Sequence, residues 1–276
     1  MLHTFQPESI LLSIGNINIF WYGVFMTISM IMAGLITIKL AKYYKIKTDI
    51  IIDLSFWLII FGIIGARFYH IGLEFNYYYQ HPLEMFKIWR GGIAIHGGII
   101  VGLIVLWVFS KKQKINFWIL TSLIAPGLAL GQSIGRWGNY FNQELFGIPT
   151  TLPWGIPIDT LKRPAEYFSN EFFHPTFLYE SFGNFLIFLI LILFHVWIIK
   201  KQKSKEKFCF LLSSSYLILY SILRFSLEFI RIDNTPVLFN LRFPQIASLI
   251  IVIFTIIVFI KFNKKNKLEI KNSNHK

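Results

Sequence analysis

Arg136, Asn139, Asn142 and Glu144 place one cation, two carboxamides and one carboxylate within nine residues of an otherwise apolar part of the chain. They stand in the run GRWGNYFNQELFG, residues 135–147. A charged side chain near the centre of a bilayer costs about 3 kcal/mol on insertion scales, so such groups are usually kept for a partner or for chemistry. Because the arginine fork suits phosphate and carboxylate, this run predicts a site for an anionic ligand.

A second polar group lies later in the chain, in the run YSILRFSLEFIR, residues 220–231. Its four polar side chains are spaced by four, four and three residues, which puts them on one face of a helix. They are Tyr220, Arg224, Glu228 and Arg231. Such a stripe is unfavourable toward lipid, so it predicts a face turned to a polar cavity or to other helices.

His96 lies between two glycine pairs in the run RGGIAIHGG, residues 90–98. It is the side chain of this run that could exchange a proton near neutral pH, and glycines allow the backbone to approach a ligand closely. The run fits a second interpretation equally well. Gly98 and Gly102 have the spacing of a helix-packing face, on which His96 would form an interhelical hydrogen bond.

Two further patterns need separate interpretations. In HPTFLYE, residues 174–180, Pro175 is placed to begin a helix, which sets Tyr179 and Glu180 at the membrane edge. The run GQSIG, residues 131–135, matches the elbow of serine hydrolases, but that motif requires a turn from strand to helix. The run is predicted to lie inside a continuous helix, so Ser133 is interpreted as a packing residue.

The elements that must position these groups are membrane helices. The chain is 55% hydrophobic and 18% aromatic, with a mean hydropathy of +0.57, and runs of about 20 apolar residues recur along it. We therefore predict an all-α, polytopic membrane protein that forms a single integral membrane domain over 1–276, with a basic cytoplasmic tail at 263–276. No soluble domain is left over, and no basic region precedes the first span as it would in a cleavable signal peptide. The seven predicted spans are 16–38, 50–72, 92–110, 116–134, 175–199, 208–229 and 244–262.

The placement of charge predicts the orientation. The net charge is +13, but most lysines fall in every second connection, as in cytoplasmic loops, which argues against nucleic acid as a partner. The amino terminus is thus predicted outside and the carboxyl terminus inside. All seven arginines map to the outer half, which predicts an outward-facing active site. A general preference for lysine wherever identity is free is the alternative explanation of this separation.

Together these motifs make the chain resemble the bacterial phosphatidylglycerol:prolipoprotein diacylglyceryl transferases. The resemblance rests on G-R-x-G-N-[FY]-x-N-x-E-x-x-G, the preceding His-Gly-Gly, H-P-x-x-x-Y-E and Y-x-x-x-R-F-x-x-E-x-x-R, and it extends from Trp21 to Gln245. Tyr140 and Gln143 depart from the common pattern. The outer loop shows no alignable pattern, which puts its contacts with a substrate peptide in doubt.

The resemblance implies an enzyme of the bacterial inner membrane that moves the diacylglyceryl group of phosphatidylglycerol to a thiol. The acceptor would be the lipobox cysteine in the signal peptide of a prolipoprotein, and glycerol phosphate would be released. No cofactor and no metal are implied, and we expect a monomer. Phosphatidylglycerol and prolipoprotein signal peptides are the expected partners.

The same resemblance, with the chemistry above, assigns expected roles. Arg136 and Arg224 would hold the phosphate with support from Arg231, and His96 would act as the base for the thiol. Glu144 and Glu228 would orient arginines, because a carboxylate beside a guanidinium is a poor proton acceptor. The catalytic candidates are His96, Arg136 and Arg224. The substrate-binding candidates are Tyr22, Asn139, Asn142, Glu144, Gly147, Tyr220, Glu228 and Arg231.

Two other classes of function compete with this interpretation. A phospholipid alcohol phosphotransferase would show an aspartate-rich metal motif on the inner side, but the aspartates here are scattered. A transporter or lipid-binding channel would also carry polar stripes within its spans. Transporters often show two matched halves with interrupted helices, and this chain shows no such repeat.

Overall fold

The computed structural model describes residues 3–201 and 205–273, and within these residues the chain is mostly helical. Seven of the helices are long and apolar enough to cross a membrane, as predicted, and α3 is a short additional helix. The chain is a multi-pass membrane protein. The helices are α1 Trp21–Tyr43, α2 Thr48–Leu73, α3 Phe75–Gln80, α4 Ile95–Lys112, α5 Phe117–Asn142, α6 Thr176–Lys201, α7 Lys205–Leu227 and α8 Phe243–Ser273.

The largest differences from the predicted spans lie at three helix ends. Helix α1 begins at Trp21 rather than near residue 16, because the preceding residues form a hairpin. Helix α5 continues to Asn142 rather than ending near residue 134, so the polar run 136–142 is helical. Helix α8 continues to Ser273, so the predicted basic tail starts as an extension of this helix, and 274–276 lie outside the described residues.

Among the described residues three small antiparallel sheets accompany the helices, and they were not predicted from the sequence. The first pairs β1 Ile10–Ile14 with β2 Ile17–Phe20 around Gly15, whose φ of +59° is the left-handed conformation that glycine adopts without strain. The others join β3 Ile156–Pro157 to β4 Phe172–Phe173 and β5 Val237–Leu238 to β6 Leu241–Arg242.

The segment between α5 and α6 has a core of its own. Backbone bonds tie it to neighbouring elements, from Gly147 N to His174 O at 2.9 Å and from Ile148 N to Ile230 O at 2.8 Å. This packing fixes the position at which α6 begins, directly after Pro175 as predicted. The buried core residues are Tyr140, Phe146, Ile156, Ile158, Phe173 and Phe177.

The chain divides into two compact units. The first comprises Met1–Ala33 and Ala125–Lys276, and in it α7 packs against both α6 and α8. Helix α5 also packs closely on α1 at Gly135, where a Cβ atom would stand 3.6 Å from Ser29 Oγ. Close contact between small residues is the usual way in which membrane helices associate.

The second unit is Gly34–Ile124, and its main feature is the pairing of α2 with α4. A Cβ atom on Gly97 would overlap the carbonyl of Gly65, so a larger residue there would push the helices apart. Gly98 also faces α2, because a Cβ atom on Gly98 would stand 3.4 Å from the carbonyl oxygen of Gly62. The packing interpretation is therefore confirmed at Gly98, while a Cβ atom on Gly102 would meet Leu58 Cδ2 only at an ordinary contact distance of 3.9 Å.

Candidate active site

Glu180, near the start of α6, lies at the centre of a cluster of guanidinium groups in the first unit. Its Oε1 is 2.6 Å from Arg136 Nη2 on α5, and its Oε2 is 3.6 Å from Nη1 of Arg224 on α7. The same Oε2 is 3.6 Å from Nη1 of Arg231, which follows α7. The two sequence runs that predicted an anion site are thus joined by one carboxylate.

Further carboxylates complete this cluster, which consists of Arg136, Arg224, Arg231, Arg242, Glu180, Glu228 and Asp233. Glu228 pairs with Arg224 and lies 3.0 Å from Arg242 Nε. Asp233 accepts a 2.7 Å bond from Arg231 Nε. Within the cluster four cationic groups meet three carboxylates, which leaves one positive charge in excess and favours an added anion.

Burial distinguishes the members of the cluster. The side chains of Glu180, Glu228 and Arg231 are at most 3% exposed, whereas Arg136 and Arg224 keep 22% and 17% of their side-chain surface. A ligand can reach only a group that retains some surface. Arg242 keeps 15%, but its guanidinium is occupied by Glu228 and by backbone carbonyls. Arg136 and Arg224 are therefore the cations suited to contact a ligand, and the buried groups hold them in place.

The end of α5 connects the cluster to three polar groups. Arg136 Nη1 donates to Asn139 Oδ1 at 3.2 Å, and Asn139 Nδ2 donates to Glu144 Oε1 at 2.7 Å. Asn142 Nδ2 lies 3.5 Å from the same oxygen. The chain folds back after α5, where Glu144 N donates a hydrogen bond to Asn139 O. This reversal brings the carboxylate of Glu144 to the two asparagine amides. Among the described contacts Glu144 pairs with asparagines rather than with an arginine, whereas Glu228 contacts Arg224 and Arg242. The roles predicted for the two carboxylates stay predictions.

Two tyrosines of the predicted site border this region. A Cβ atom on Gly138 would stand 2.8 Å from Tyr22 Cδ2, so the glycine allows the ring of Tyr22 to lie directly on α5. Tyr220 lies one turn before Arg224 on α7. Its ring stacks on that of Tyr216, with centroids 6.1 Å apart.

Gly147 is required by the backbone around it. Its amide donates to His174 O, and it forms an isolated bridge with Arg231. A Cβ atom there would stand 2.8 Å from Ile230 Cγ2, so packing alone explains the glycine. Substrate contact at Gly147 stays a prediction.

Two cavities lie beside Asn142 in the first unit. One has a volume of about 780 Å³, is mainly apolar, and is lined by Tyr22, Asn142, residues of β2 and the first turns of α1. The other has a volume of about 550 Å³ and is more polar, with Glu144, Lys162 and Asp233 in its wall. The asparagines and Glu144 therefore connect the arginine cluster to spaces large enough for parts of a substrate.

His96 lies in the second unit, exposed within that unit in the first turn of α4. The loop before it is held by Arg67, whose guanidinium donates to the carbonyls of Gly91 at 2.7 Å and Gly92 at 2.8 Å. Both glycines have positive φ, +87° and +72°. Gly91 and Gly92 thus allow the backbone conformation of this loop. Participation of His96 in the site stays a prediction.

Asp233, outside the membrane spans, makes stability depend on pH. Burial opposes its ionisation, but the hydrogen bond from Arg231 and the charges of Arg231 and Arg242 outweigh burial and hold the pKa of Asp233 below its usual value. A depressed pKa stabilises the fold above the unfolded-state value near 4 and loses that contribution as the pH falls through the folded value. We expect Asp233→Asn to lower the Tm by roughly 2 to 4 °C at pH 7, with a smaller difference near pH 3. Thermal unfolding of both proteins between pH 3 and 7 measures this, and a Tm difference that is constant with pH would contradict it.

Three residues of the cluster were absent from the predicted site. Glu180 stood in the H-P-x-x-x-Y-E run and carried a signal, since a carboxylate inside a span requires a partner. Arg242 was noted only as an outer arginine, and Asp233 only as one of the scattered aspartates. Both lie in the segment that contains β5 and β6, where no periodic pattern relates them to α7.

Comparison with known proteins agrees with this geometry. The family model described as prolipoprotein diacylglyceryl transferase matches residues 9–261. A phosphatidylglycerol–prolipoprotein diacylglyceryl transferase of Finegoldia magna is 41% identical over 258 residues, covering 94% of this chain and 97% of that protein. The protein of the same name from Acaryochloris marina is 42% identical over 245 residues, covering 89% and 87% of the two chains. The chain belongs to the prolipoprotein diacylglyceryl transferase family.

Proposed function

We propose that Arg136 and Arg224 bind the phosphate of phosphatidylglycerol while this enzyme transfers the diacylglyceryl group to the cysteine thiol of a prolipoprotein. The observation that carries the proposal is the shared carboxylate of Glu180, which holds both guanidinium groups in one cluster while each keeps exposed surface. The single excess positive charge of the cluster matches the single negative charge of a phosphodiester.

The reaction needs this charge more as it proceeds. The thiolate sulfur forms a bond to the glyceryl carbon, and the bond between that carbon and the phosphate oxygen breaks with its electron pair on the oxygen. The leaving glycerol phosphate develops a second negative charge. Fixed cations that face this developing charge stabilise the transition state more than the ground state, which is the condition for catalysis.

The proton of the thiol requires an acceptor, since a free cysteine has a pKa of about 8.5 and reacts as thiolate. We assign this role to His96, which is exposed within its unit and follows the loop held by Arg67. Glu180 and Glu228 are unsuited to it, because both carboxylates are buried and already paired with guanidinium groups.

The remaining predicted residues are assigned to the substrate. Asn139 and Asn142 would bind glycerol hydroxyls or phosphate oxygens through the second N–H of each amide, since the first is directed at Glu144. Tyr22 and Tyr220 would anchor the head group. Tyr22 and Asn142 also line the larger cavity, whose apolar wall suits an acyl chain. Action as a monomer stays a prediction.

The charge distribution supports an outward-facing site in the bacterial inner membrane. The cluster lies at the end of α7 and the beginning of α6, whereas Lys200 and Lys201 end α6 at its opposite end. The lysine-rich ends of helices face the cytoplasm under the positive-inside rule. The arginine cluster would then face the outer side, where the cysteine of a translocated prolipoprotein becomes accessible.

Mass spectrometry of the reaction products tests the activity directly. The protein, purified in detergent, is incubated with phosphatidylglycerol and a lipobox peptide, and we expect a peptide adduct with a thioether-linked diacylglyceryl group. The same peptide with serine in place of cysteine is the control and should give no adduct. An adduct on the serine peptide, or none on the cysteine peptide, would contradict the proposed reaction.

A further inference from the structure

Asn184 on α6 carries a fully buried amide group that has no hydrogen-bond partner among the described residues. Its exposure is 0%, and neither Nδ2 nor Oδ1 has a partner within bonding distance. The hydroxyl of Ser221 on α7, a residue that is 2% exposed, is also buried without a hydrogen-bond partner in the described structure. Nη1 of Arg224 likewise donates no hydrogen bond there. Buried polar groups without partners are costly, and proteins commonly satisfy them with an ordered water or a ligand.

These groups belong to the same helix interface. Glu180 on α6 faces Arg224 on α7, and a Cβ atom on Gly183 would stand 2.6 Å from Leu223 Cδ1, so the two helices are in close contact here. Asn184 lies one turn, about 6 Å, beyond Glu180 along α6. Ser221 lies about 4.5 Å before Arg224 along α7, in the same direction because the helices are antiparallel. The unpartnered groups therefore form a polar layer directly beneath the cluster.

Ser221 differs from other serines of its helix. Ser213, Ser215 and Ser226 each donate to the carbonyl four residues earlier, at 3.0, 2.9 and 2.9 Å. This back-bonding is the usual way in which a serine hydroxyl is satisfied in a helix. The hydroxyl of Ser221 makes no such bond in the described structure, so it is available to another partner.

We propose that Asn184, Ser221 and Nη1 of Arg224 form a buried binding site for a small hydroxyl group. The site offers two donors from Asn184 and Arg224, one acceptor on Asn184, and a serine hydroxyl that can act as either. The oxygen of such a hydroxyl group accepts hydrogen bonds from Asn184 Nδ2 and Arg224 Nη1, and its hydrogen is donated to Asn184 Oδ1. One hydroxyl group therefore satisfies the donors and the acceptor together. The hydroxyl comes either from a trapped water or from the glyceryl moiety of a bound lipid.

The sign of a stability change tests the site first. If the amide of Asn184 were simply uncompensated, Asn184→Leu would remove a penalty and raise the Tm. If the amide binds a hydroxyl group that Ser221 and Arg224 also contact, leucine leaves the hydrogen-bonding groups of these two residues unsatisfied. We then expect the Tm to fall by roughly 3 to 6 °C. A Tm that rises or stays unchanged would overturn the proposal.

Coupling between the two positions provides the second test, since a leucine could lower the Tm through misfit alone. Thermal unfolding of Ser221→Ala, Asn184→Leu and the double variant forms a cycle, and we expect the double variant to lose less than the sum of the single losses. Ser215→Ala is the matched control, because its hydroxyl is satisfied within α7, and its effect should add to that of Asn184→Leu.

The source of the hydroxyl group follows from repeating the cycle with and without added phosphatidylglycerol. Coupling in detergent without lipid supports a trapped water, whereas coupling that appears only with the lipid supports its glyceryl moiety. Absence of coupling in both conditions would overturn the site. Because the measurement is thermal unfolding, this outcome is independent of whether the proposed transfer reaction takes place.

Discussion

Replacing Arg136 or Arg224 with alanine is expected to lower the rate of diacylglyceryl transfer by about 100-fold or more. Each guanidinium keeps exposed surface in a cluster fixed by Glu180, and removal of one preorganised group that stabilises developing charge typically costs two to three orders of magnitude. The measurement is the initial rate of adduct formation at saturating peptide, below the Tm of each variant.

Lysine variants at the same positions separate charge from geometry. Arg136→Lys and Arg224→Lys keep the positive charge but lose the planar fork, so we expect rates between those of the alanine variants and the unmodified protein. Arg90→Ala is the matched control: this arginine is 62% exposed and pairs with Glu84 in a loop, so its removal should change the rate little.

A comparison with His96→Ala tests the relative weight of the two proposed contributions. Positioned acid–base groups typically contribute 100- to 10,000-fold, but a strong positive field also favours the thiolate, so part of this contribution would survive loss of the imidazole. We expect the arginine variants to lose more activity than His96→Ala. If His96→Ala abolishes transfer while Arg136→Ala and Arg224→Ala keep nearly normal rates, this ranking is wrong.

Replacing Glu180 with glutamine is expected to cause the largest loss of stability among substitutions in the cluster. This carboxylate is buried and faces three guanidinium groups, and removing one partner of a buried ion pair typically costs about 3–5 kcal/mol. At 2 to 4 °C per kcal/mol for a chain of this size class, the Tm should fall by roughly 6 to 20 °C.

Activity measured below the lowered Tm shows whether Glu180 also positions the arginines. We expect Glu180→Gln to lower kcat, because the fork of Arg136 loses its fixed orientation, and Glu180→Asp to restore part of it. Glu171→Gln is the matched control, an exposed carboxylate in the segment between α5 and α6. An unchanged Tm in Glu180→Gln would show that the cluster does not depend on its central carboxylate.

Local spacing indicated part of the cluster. Helical periodicity, a property of the sequence alone, relates Tyr220 to Arg224 on α7. The predicted stripe was wrong in its last two members, because α7 ends at Leu227, and Glu228 and Arg231 follow it outside the helix. The seven spans follow from the length of apolar runs, which is also a property of the sequence alone. The hairpin before α1 could also have been predicted, since Ile17 and Ile19 alternate with polar residues after a Gly-Asn turn, but the high hydrophobicity of this stretch favoured a span.

The partners across helices could not be predicted from spacing. Periodicity shows which residues share a face of one helix, but the position of Glu180 between α5 and α7 depends on how three helices pack. For the same reason Glu144 was assigned to the arginines, whereas the reversal of the chain after Asn142 directs it to the asparagines.

The amino-acid sequence by itself determined that the chain has seven segments long and apolar enough to cross a membrane, and its polar motifs were enough to indicate the family. The length of apolar runs and the helical spacing of polar residues are local properties of the sequence, so they can be recognised without knowledge of the fold. Only the tertiary structure decided that Glu180 joins Arg136 to Arg224 and that Arg231 is buried while those two keep part of their surface. It also decided that Asn184 and Ser221 lie beneath them. These features depend on distances between helices, which arise from side-chain packing across segments far apart in sequence.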